Sequence, residues 1–488
     1  MSYFHFLGHP MNLKRCLSFL VVCVFTFFLA LVPSSFFGIN PETGLPIFTL
    51  TQQRVIAIFV FTAMMWILEV IPTWTTSVVA IVSILLTTSN KGLGFLIAKE
   101  NVGALTNYKD IMAAFADPVI MLFLGGFVLA FAATKVGLDV QLAKVMLKPF
   151  GKNPKTVLLG VLLVIGVFSM FMSNTATAAM MLTFLTPVLA TLPKDGGGRI
   201  SLALAIPIAA NIGGMGTPIG TPPNAIALGA LQEAGYNITF VDWMLRMVPF
   251  VLLLLLIAWV LLMKMYPFKA KSIELKIEGA PTKTTPFQKY VVWVTFALTI
   301  ILWVFESLFK VNSNIVAMIP FAVFSATGIL KARDLEHINW AVLWMVAGGF
   351  ALGTALNQTG LAVTLIKIIP FASWNALVVM IVGGLICYFL SNFISNSASA
   401  NLVVPILVVV GTAMKDNPAF ASLGGVPAMI IGIAIAASMA MCLPVSTPPN
   451  ALAHSTGMIT TKQMATVGII LGVVGLSLGY LMLIFIGF

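Results

Sequence analysis

The chain alternates long apolar runs with short polar breaks. Uninterrupted apolar runs fall near 16–36, 54–71, 75–88, 119–134, 241–265, 289–308, 315–330, 341–356 and 463–487. Most approach the roughly 20 residues a helix needs to cross a bilayer core. Four further runs are interrupted by polar residues: 156–192 at Ser173, 201–231 at Thr221, 375–413 at Ser395 and 425–453 at Thr447. Each of 156–192 and 375–413 either crosses twice or turns back midway as a re-entrant hairpin. In both cases each half keeps five crossings, an odd number, so the halves are expected to be inverted relative to one another. The pattern therefore predicts an all-α polytopic membrane protein. It has about 11 transmembrane helices plus two re-entrant hairpins, in two inverted-topology repeats. The expected organisation is a tail and first span over 1–50, a first repeat over 51–268, a linker over 269–287 and a second repeat over 288–488.

The interruptions carry a repeated vocabulary. Ser169-Met-Phe-Met-Ser173-Asn174-Thr175 is followed by Thr221-Pro222-Pro223-Asn224. In the second half Ser391-Asn-Phe-Ile-Ser395-Asn396-Ser397 is followed by Thr447-Pro448-Pro449-Asn450. Gly125-Gly126-Phe127 recurs as Gly348-Gly349-Phe350. The register is nearly constant: 223 residues from Gly125 to Gly348, 222 from Ser173 to Ser395, and 226 from Thr221 to Thr447. Helix breaks at matching positions of two halves point to a transporter's binding site.

Composition fits this picture. The chain is 60% hydrophobic and 8% charged, more apolar surface than a soluble domain hides. Its net charge of +11 sits mostly in loops and sets orientation, so it does not imply nucleic acid. With the N-terminus in the cytoplasm, the inner loops hold 18 of the 26 Lys and Arg residues. Outer segment 89–118 is the exception, with Lys91, Lys99 and Lys109 beside Glu100, Asp110 and Asp117. Lys14 and Arg15 ahead of an apolar run resemble a signal peptide, but Leu31-Val-Pro-Ser-Ser-Phe-Phe has no convincing cleavage site, and a retained first span is expected. Cys16, Cys23, Cys387 and Cys442 lack metal-type spacing and read as buried thiols.

Backbone that leaves a helix at bilayer depth is tolerated only where protein, water or ligand satisfies its polar groups. At each break Ser, Thr or Asn precedes a new apolar helix, as N-caps do. Thr221-Pro222 and Thr447-Pro448 fit a cap followed by proline in the first turn. Four helix N-termini, two from each half, could then face one midplane site with partial positive charge and free N–H donors. A molecule with a carboxylate at each end matches two such poles. No Arg or Lys accompanies the motifs, so bound cations would help to hold a dianion. Ser169 with Ser173, and Ser391 with Ser395, share helix faces at i, i+4 spacing. Hydroxyl, amide and carbonyl oxygens are hard neutral ligands suited to sodium, and no Asp or Glu in the motifs could carry a proton instead.

These motifs, in both halves and at fixed offset, resemble the divalent anion:sodium symporter family, the INDY-like sodium/dicarboxylate cotransporters. The resemblance covers essentially the whole chain after the first span. It implies that substrate carboxylates are held by Ser173-Asn174-Thr175 and Ser395-Asn396-Ser397, with Thr221-Pro222 and Thr447-Pro448 completing the site. It implies one sodium at Ser169, Ser173, Asn174 and the Gly220 carbonyl, and another at Ser391, Ser395, Asn396 and the Ser446 carbonyl. It further implies a homodimer in a plasma or bacterial inner membrane, with a scaffold domain and a transport domain moving as an elevator. Ser397 departs from the family's usual threonine, which puts substrate preference in question. The reading is a sodium-coupled symporter importing C4-dicarboxylates such as succinate, fumarate and malate. The alternatives are a sodium-independent dicarboxylate or tricarboxylate exchanger, or sulfate as substrate.

Other features read blandly. The glycine pairs are expected to be close-packing contacts, and Asp117 before Pro118 a helix N-cap. Glu69 and Glu306 close equivalent spans as interfacial acids, although intramembrane acids are functional candidates by default. His454 lies just beyond the second Thr-Pro-Pro-Asn without an assigned role. No catalytic His, Cys or acid cluster falls at bilayer depth, which argues against an enzyme.

Overall fold

The structure, a computed structural model, describes residues 4–6, 9–11, 13–41, 43–98, 101–193, 196–274 and 284–487. Residues 275–283 of the expected linker lie outside the described residues, as do Lys99, Glu100 and Lys194 from the charge count. Apart from a two-stranded antiparallel hairpin at Phe4–Phe6 and His9–Met11, the architecture is helical. A leading helix, α1 (Leu13–Leu31), packs on α2 (Leu50–Leu68). The first half continues with α3 (Thr73–Thr87), α4 (Pro118–Val136), α5 (Pro154–Phe171), α6 (Asn174–Thr191), α7 (Gly197–Gly214), α8 (Pro222–Glu233) and α9 (Phe240–Met265). The second half comprises α10 (Pro286–Val304), α11 (Met318–Ala326), α12 (Trp340–Gln358), α13 (Ala376–Phe393), α14 (Asn396–Met414), α15 (Gly425–Met439), α16 (Pro448–Ser455) and α17 (Thr461–Phe485). Among the described residues, nine helices are long and apolar enough to cross a membrane.

The starting signals of these helices repeat along with the helices. Capping boxes open α2 at Thr49 and Gln52, and α10 at Thr285 and Gln288. They also open α9 at Thr239 and Asp242, and α17 at Thr460 and Gln463. Each box satisfies two backbone donors that a helix start would otherwise orphan. Asn153 caps α5 as Asn375 caps α13, and Ser173 caps α6 as Ser395 caps α14. Asp117 caps α4 by accepting from Val119 N at 2.8 Å, as expected. Trp66 and Trp303, both buried, donate from Nε1 to the Thr73 and Ser313 carbonyls at 3.1 and 3.0 Å.

The halves pack crosswise. From the first half, α3 lies against α12, and α4 lies against α10 and α11. The short broken helices cross over as well: α8 packs on α14 and α15, while α16 packs on α6 and α7. The glycine pairs sit at these crossings. A Cβ at Gly125 would overlap the Ala317 backbone carbonyl, and one at Gly348 would overlap the Ser77 side chain. The next glycine in each pair meets a different neighbour, Gly126 against Ile219 and Gly349 against Asn401. The dipeptide thus gives one helix close contacts on two sides. Gly125→Ala is expected to cost about 1–3 kcal/mol, because backbone rather than a flexible side chain must yield. Thermal unfolding of the purified protein in detergent would read this as a lowered melting temperature. An unchanged temperature would mean that the helices part freely.

Cys16, Cys387 and Cys442 are buried, Cys23 is half-buried, and all four are free thiols. Lengths read as loops also contain short helices, including Leu138–Leu147 and Leu361–Ile368. Their runs are too short, and in the first case too charged, to stand out as spans.

Candidate functional site

The two breaks in each half converge on one cavity of about 230 Å³. Of the fourteen residues that the resemblance implies for the site, twelve line it: Ser173, Asn174, Thr175, Gly220, Thr221 and Pro222 from the first half, with Ser395, Asn396, Ser397, Ser446, Thr447 and Pro448 from the second. Ser169 and Ser391 lie behind the tips, fully buried. Among the described residues, no charged side chain lines the cavity.

At each tip the chain leaves one helix and enters the next through two extended residues. Ser173 Oγ accepts from Ala176 N at 3.2 Å, and Ser395 Oγ accepts from Ala398 N at 3.2 Å. Both serine hydroxyls are therefore engaged in capping. The earlier N–H groups of α6 and α14 have no intrahelical acceptor and belong to residues on the cavity wall. The other two helix starts differ: α8 and α16 open on Pro-Pro, which has no N–H to give. They contribute the positive end of the helix dipole, and the hairpin tips contribute the donors.

The unwound loops are fastened from within. Asn224 Nδ2 donates to the Gly214, Met215 and Thr217 carbonyls at 3.0, 3.4 and 2.8 Å. Asn450 Nδ2 donates to Met441 and Leu443 at 2.8 and 2.9 Å. The final Asn of each Thr-Pro-Pro-Asn thus replaces helical hydrogen bonds lost at the break. Thr217 Oγ1 ties the first loop to the Met170 carbonyl.

Behind the first tip lies an oxygen cluster. Ser169 Oγ donates to the Ala210 carbonyl at 2.7 Å and lies 2.7 Å from the inward end of the Asn174 amide. That end is also 3.1 Å from the Ala210 carbonyl and 3.1 Å from the Gly220 carbonyl. Turned one way, the amide donates to these oxygens. Turned the other way, four oxygens face one another and a cation would satisfy them. Behind the second tip, Ser391 Oγ donates to Asn396 Oδ1 at 2.8 Å and to the Ala437 carbonyl at 3.1 Å. Ser446 lines the cavity, and its hydroxyl donates to the Asn392 carbonyl at 2.9 Å and accepts from Leu443 N at 3.1 Å. The Ala210 and Ala437 carbonyls were not legible from sequence, because a main-chain oxygen has no residue signature.

Sequence reasoning also missed Asn211, Asn339, Thr73 and the apolar wall of Phe123, Phe127, Val342 and Met345. Asn211 links the halves: its Nδ2 donates to Thr447 Oγ1 and Asn450 Oδ1, both at 3.1 Å. Asn211→Ala is expected to lower stability by about 1–3 kcal/mol, the penalty for leaving buried acceptors unpaired. A thermal melt checks this, and a melting temperature equal to the parent's would show the bridge to be dispensable. Glu69 ends α2 in a left-handed conformation and reaches the Ser395 backbone, beside the second tip. Glu306 is buried and accepts from Phe240 N at 3.4 Å. His454 is close to Thr461 Oγ1, 3.1 Å away on the exposed side.

Known proteins resemble this chain along most of its length. The family described as citrate transporter matches residues 63–425, well over half the chain. The chain belongs to this family of divalent anion:sodium symporters. It is a membrane transporter and not an enzyme. Among relatives of this symporter family member is the sodium-dependent dicarboxylate transporter SdcS of Staphylococcus saprophyticus, 31% identical across 85% of this chain and 82% of that protein. An uncharacterized transporter of Haemophilus influenzae is 32% identical across 76% of this chain and 81% of its own. The inorganic phosphate transporter PHO87 of Saccharomyces cerevisiae is 28% identical across 86% of this chain but 44% of its own. In fold, the chain is similar to the Alcanivorax borkumensis YdaH transporter, with a TM-score of 0.56 at 14% identity, covering 97% of this chain and 98% of that one.

Proposed function

We propose that the protein is a sodium-coupled secondary active symporter that imports C4-dicarboxylates by an elevator-type motion. The observation that carries this reading is an uncharged cavity between two donor-bearing hairpin tips, with an oxygen cluster behind each. Each tip offers N–H and hydroxyl donors to one carboxylate of the substrate. Thr175 and Ser397 supply the hydroxyls. With no fixed positive charge in the wall, sodium at the clusters provides the counter-charge. Loading of substrate then depends on loading of sodium, which is the coupling. The Staphylococcus saprophyticus relative named as a sodium-dependent dicarboxylate transporter supports this reading. The matching caps and breaks of α2–α9 and α10–α17 support two repeats, of inverted orientation on the crossing count. A homodimer and a cytoplasmic N-terminus in a plasma or bacterial inner membrane complete the proposal.

The test is labelled succinate uptake into proteoliposomes, with an inward sodium gradient or an equal choline gradient. Concentrative uptake with sodium alone is expected. Uptake that needs internal dicarboxylate and ignores sodium would establish an exchanger instead. The two tips also differ in exposure: Thr175 is exposed, whereas Ser397 is only 8% exposed. Ser397→Thr adds a methyl at the tighter tip. It is expected to weaken competition by the bulkier citrate about tenfold, a cost of about 1.4 kcal/mol within the usual range for overpacking. Succinate, which needs less room, should lose less. Equal losses for both competitors would show that this position does not select by size.

A further inference from the structure

A cavity of about 390 Å³ opens where α1 ends and α2 begins, apart from the motif site. Its lining includes Leu31, Val32, Ser34, Ser35, Arg54 and Leu96. Arg54 lies in the second turn of α2, a helix long and apolar enough to cross a membrane, about 6 Å along the axis from its first residue. A charge on a membrane-spanning helix is costly unless something answers it. Arg54 is only 8% exposed. Its Nη1 donates to the Thr87 carbonyl at 2.8 Å and its Nη2 to the Leu96 carbonyl at 3.1 Å. Thr87 closes α3, so its carbonyl brings only the partial negative charge of a helix end. The rest of the guanidinium's N–H donors have no described acceptor. Among the described residues, no carboxylate pairs with Arg54; the ion pairs found are Lys135 with Asp334 and Lys152 with Glu274. The neighbouring Gln53 holds the cavity wall in place, donating from Nε2 to the Leu29 and Val32 carbonyls at 2.8 and 2.6 Å. On α1, Leu20, Val21, Val24, Phe25 and Phe28 line a wholly apolar groove. Phe28 and Leu31 are three apart and share a helix face, so the groove runs toward the cavity.

We propose that this cavity binds the headgroup phosphate of an anionic phospholipid, with Arg54 as its counter-charge and the Ser34 and Ser35 hydroxyls as further donors. A phosphodiester carries one negative charge and presents oxygens in the spacing that a guanidinium fork matches. Basic pockets between membrane helices hold anionic headgroups in this way. The apolar groove on α1 then takes an acyl chain, which a free phosphate does not have. The level also fits, because the end of one spanning helix and the start of the next lie where hydrocarbon gives way to headgroups. With the N-terminus in the cytoplasm, as proposed above, the lipid belongs to the outer leaflet. The site uses neither sodium nor dicarboxylate, so it stands whether or not the transport reading does. Arg54 already joins α2 to the end of α3 and to Leu96, and a bound headgroup would brace the end of α1 against the same junction.

The experiment is thermal unfolding of the purified, delipidated full chain in neutral detergent, titrated with phosphatidylglycerol, phosphatidylcholine or inorganic phosphate. A ligand that binds only the folded state raises the melting temperature as its concentration rises. Phosphatidylglycerol is expected to do so at lower concentration than phosphatidylcholine, and inorganic phosphate not at all. Arg54→Gln removes the charge and is expected to weaken phosphatidylglycerol about fivefold, the worth of one basic residue at an anionic membrane surface. Ser34→Asp leaves Arg54 and its carbonyl bonds in place but sets a carboxylate in the cavity. It is expected to abolish the preference for phosphatidylglycerol, and it carries the test alone if Arg54→Gln does not fold. Equal stabilisation of the parent by the two lipids overturns the site, as does a parental response to phosphatidylglycerol in either folded variant. Stabilisation by inorganic phosphate equal to that by phosphatidylglycerol would show a site for a free anion and overturn the lipid assignment.

Discussion

Alanine at Asn174 is expected to cut sodium-driven succinate uptake about a hundredfold, a loss of close to 3 kcal/mol. Asn396→Ala should do the same at the other tip. The size follows from what the Asn174 side chain touches. Its amide stands between the cavity wall and the buried cluster of Ser169 Oγ, the Ala210 carbonyl and the Gly220 carbonyl. Deleting it leaves those buried groups facing a void and removes one oxygen from any cation held there. Each orphaned group costs about 1–3 kcal/mol. The loss should appear in two readouts together: uptake in liposomes, and the stabilisation of purified protein by sodium. A variant that transports poorly but is still stabilised by sodium as the parent is would place Asn174 in the substrate site alone.

The motif site was legible in the sequence to an unusual degree, for a specific reason. Breaking a helix inside a bilayer needs caps, and caps need Ser, Thr, Asn or Pro at fixed places. Those residues stand out against apolar neighbours, and their recurrence at nearly constant offset ruled out coincidence. Spans and breaks therefore matched observed helices to within a few residues, as with 156–192 against Pro154–Phe171 and Asn174–Thr191. What escaped was of two kinds. Main-chain carbonyls such as Ala210 O, which accepts from Ser169 Oγ, are invisible because every residue has one. Contacts between the halves, such as Asn211 with Thr447, are invisible because the two strands of sequence are over two hundred residues apart. The bland readings of Asp117 and the glycine pairs agree with their capping and packing contacts.

Aspartate at Asn174 separates the two jobs that alanine removes together. It keeps the shape of the side chain, and both its terminal atoms are acceptors. Turned toward Ser169, Ala210 and Gly220, it completes a cage of oxygens carrying one negative charge. Sodium should then bind more tightly than in the parent, and stabilisation by sodium should begin at lower concentration. The substrate meets the opposite effect. At about 5 Å and an effective dielectric of about 20, a new negative charge opposes each carboxylate charge by about 3 kcal/mol. Even the nearer carboxylate alone would bring a loss of over a hundredfold in apparent affinity for succinate. Asn174→Asp is thus expected to be stabilised by sodium and no longer by succinate. Stabilisation by succinate at the parental concentration would show that no substrate carboxylate sits at the first tip. Loss of sodium stabilisation as well would mean that the four oxygens behind the tip do not hold a cation.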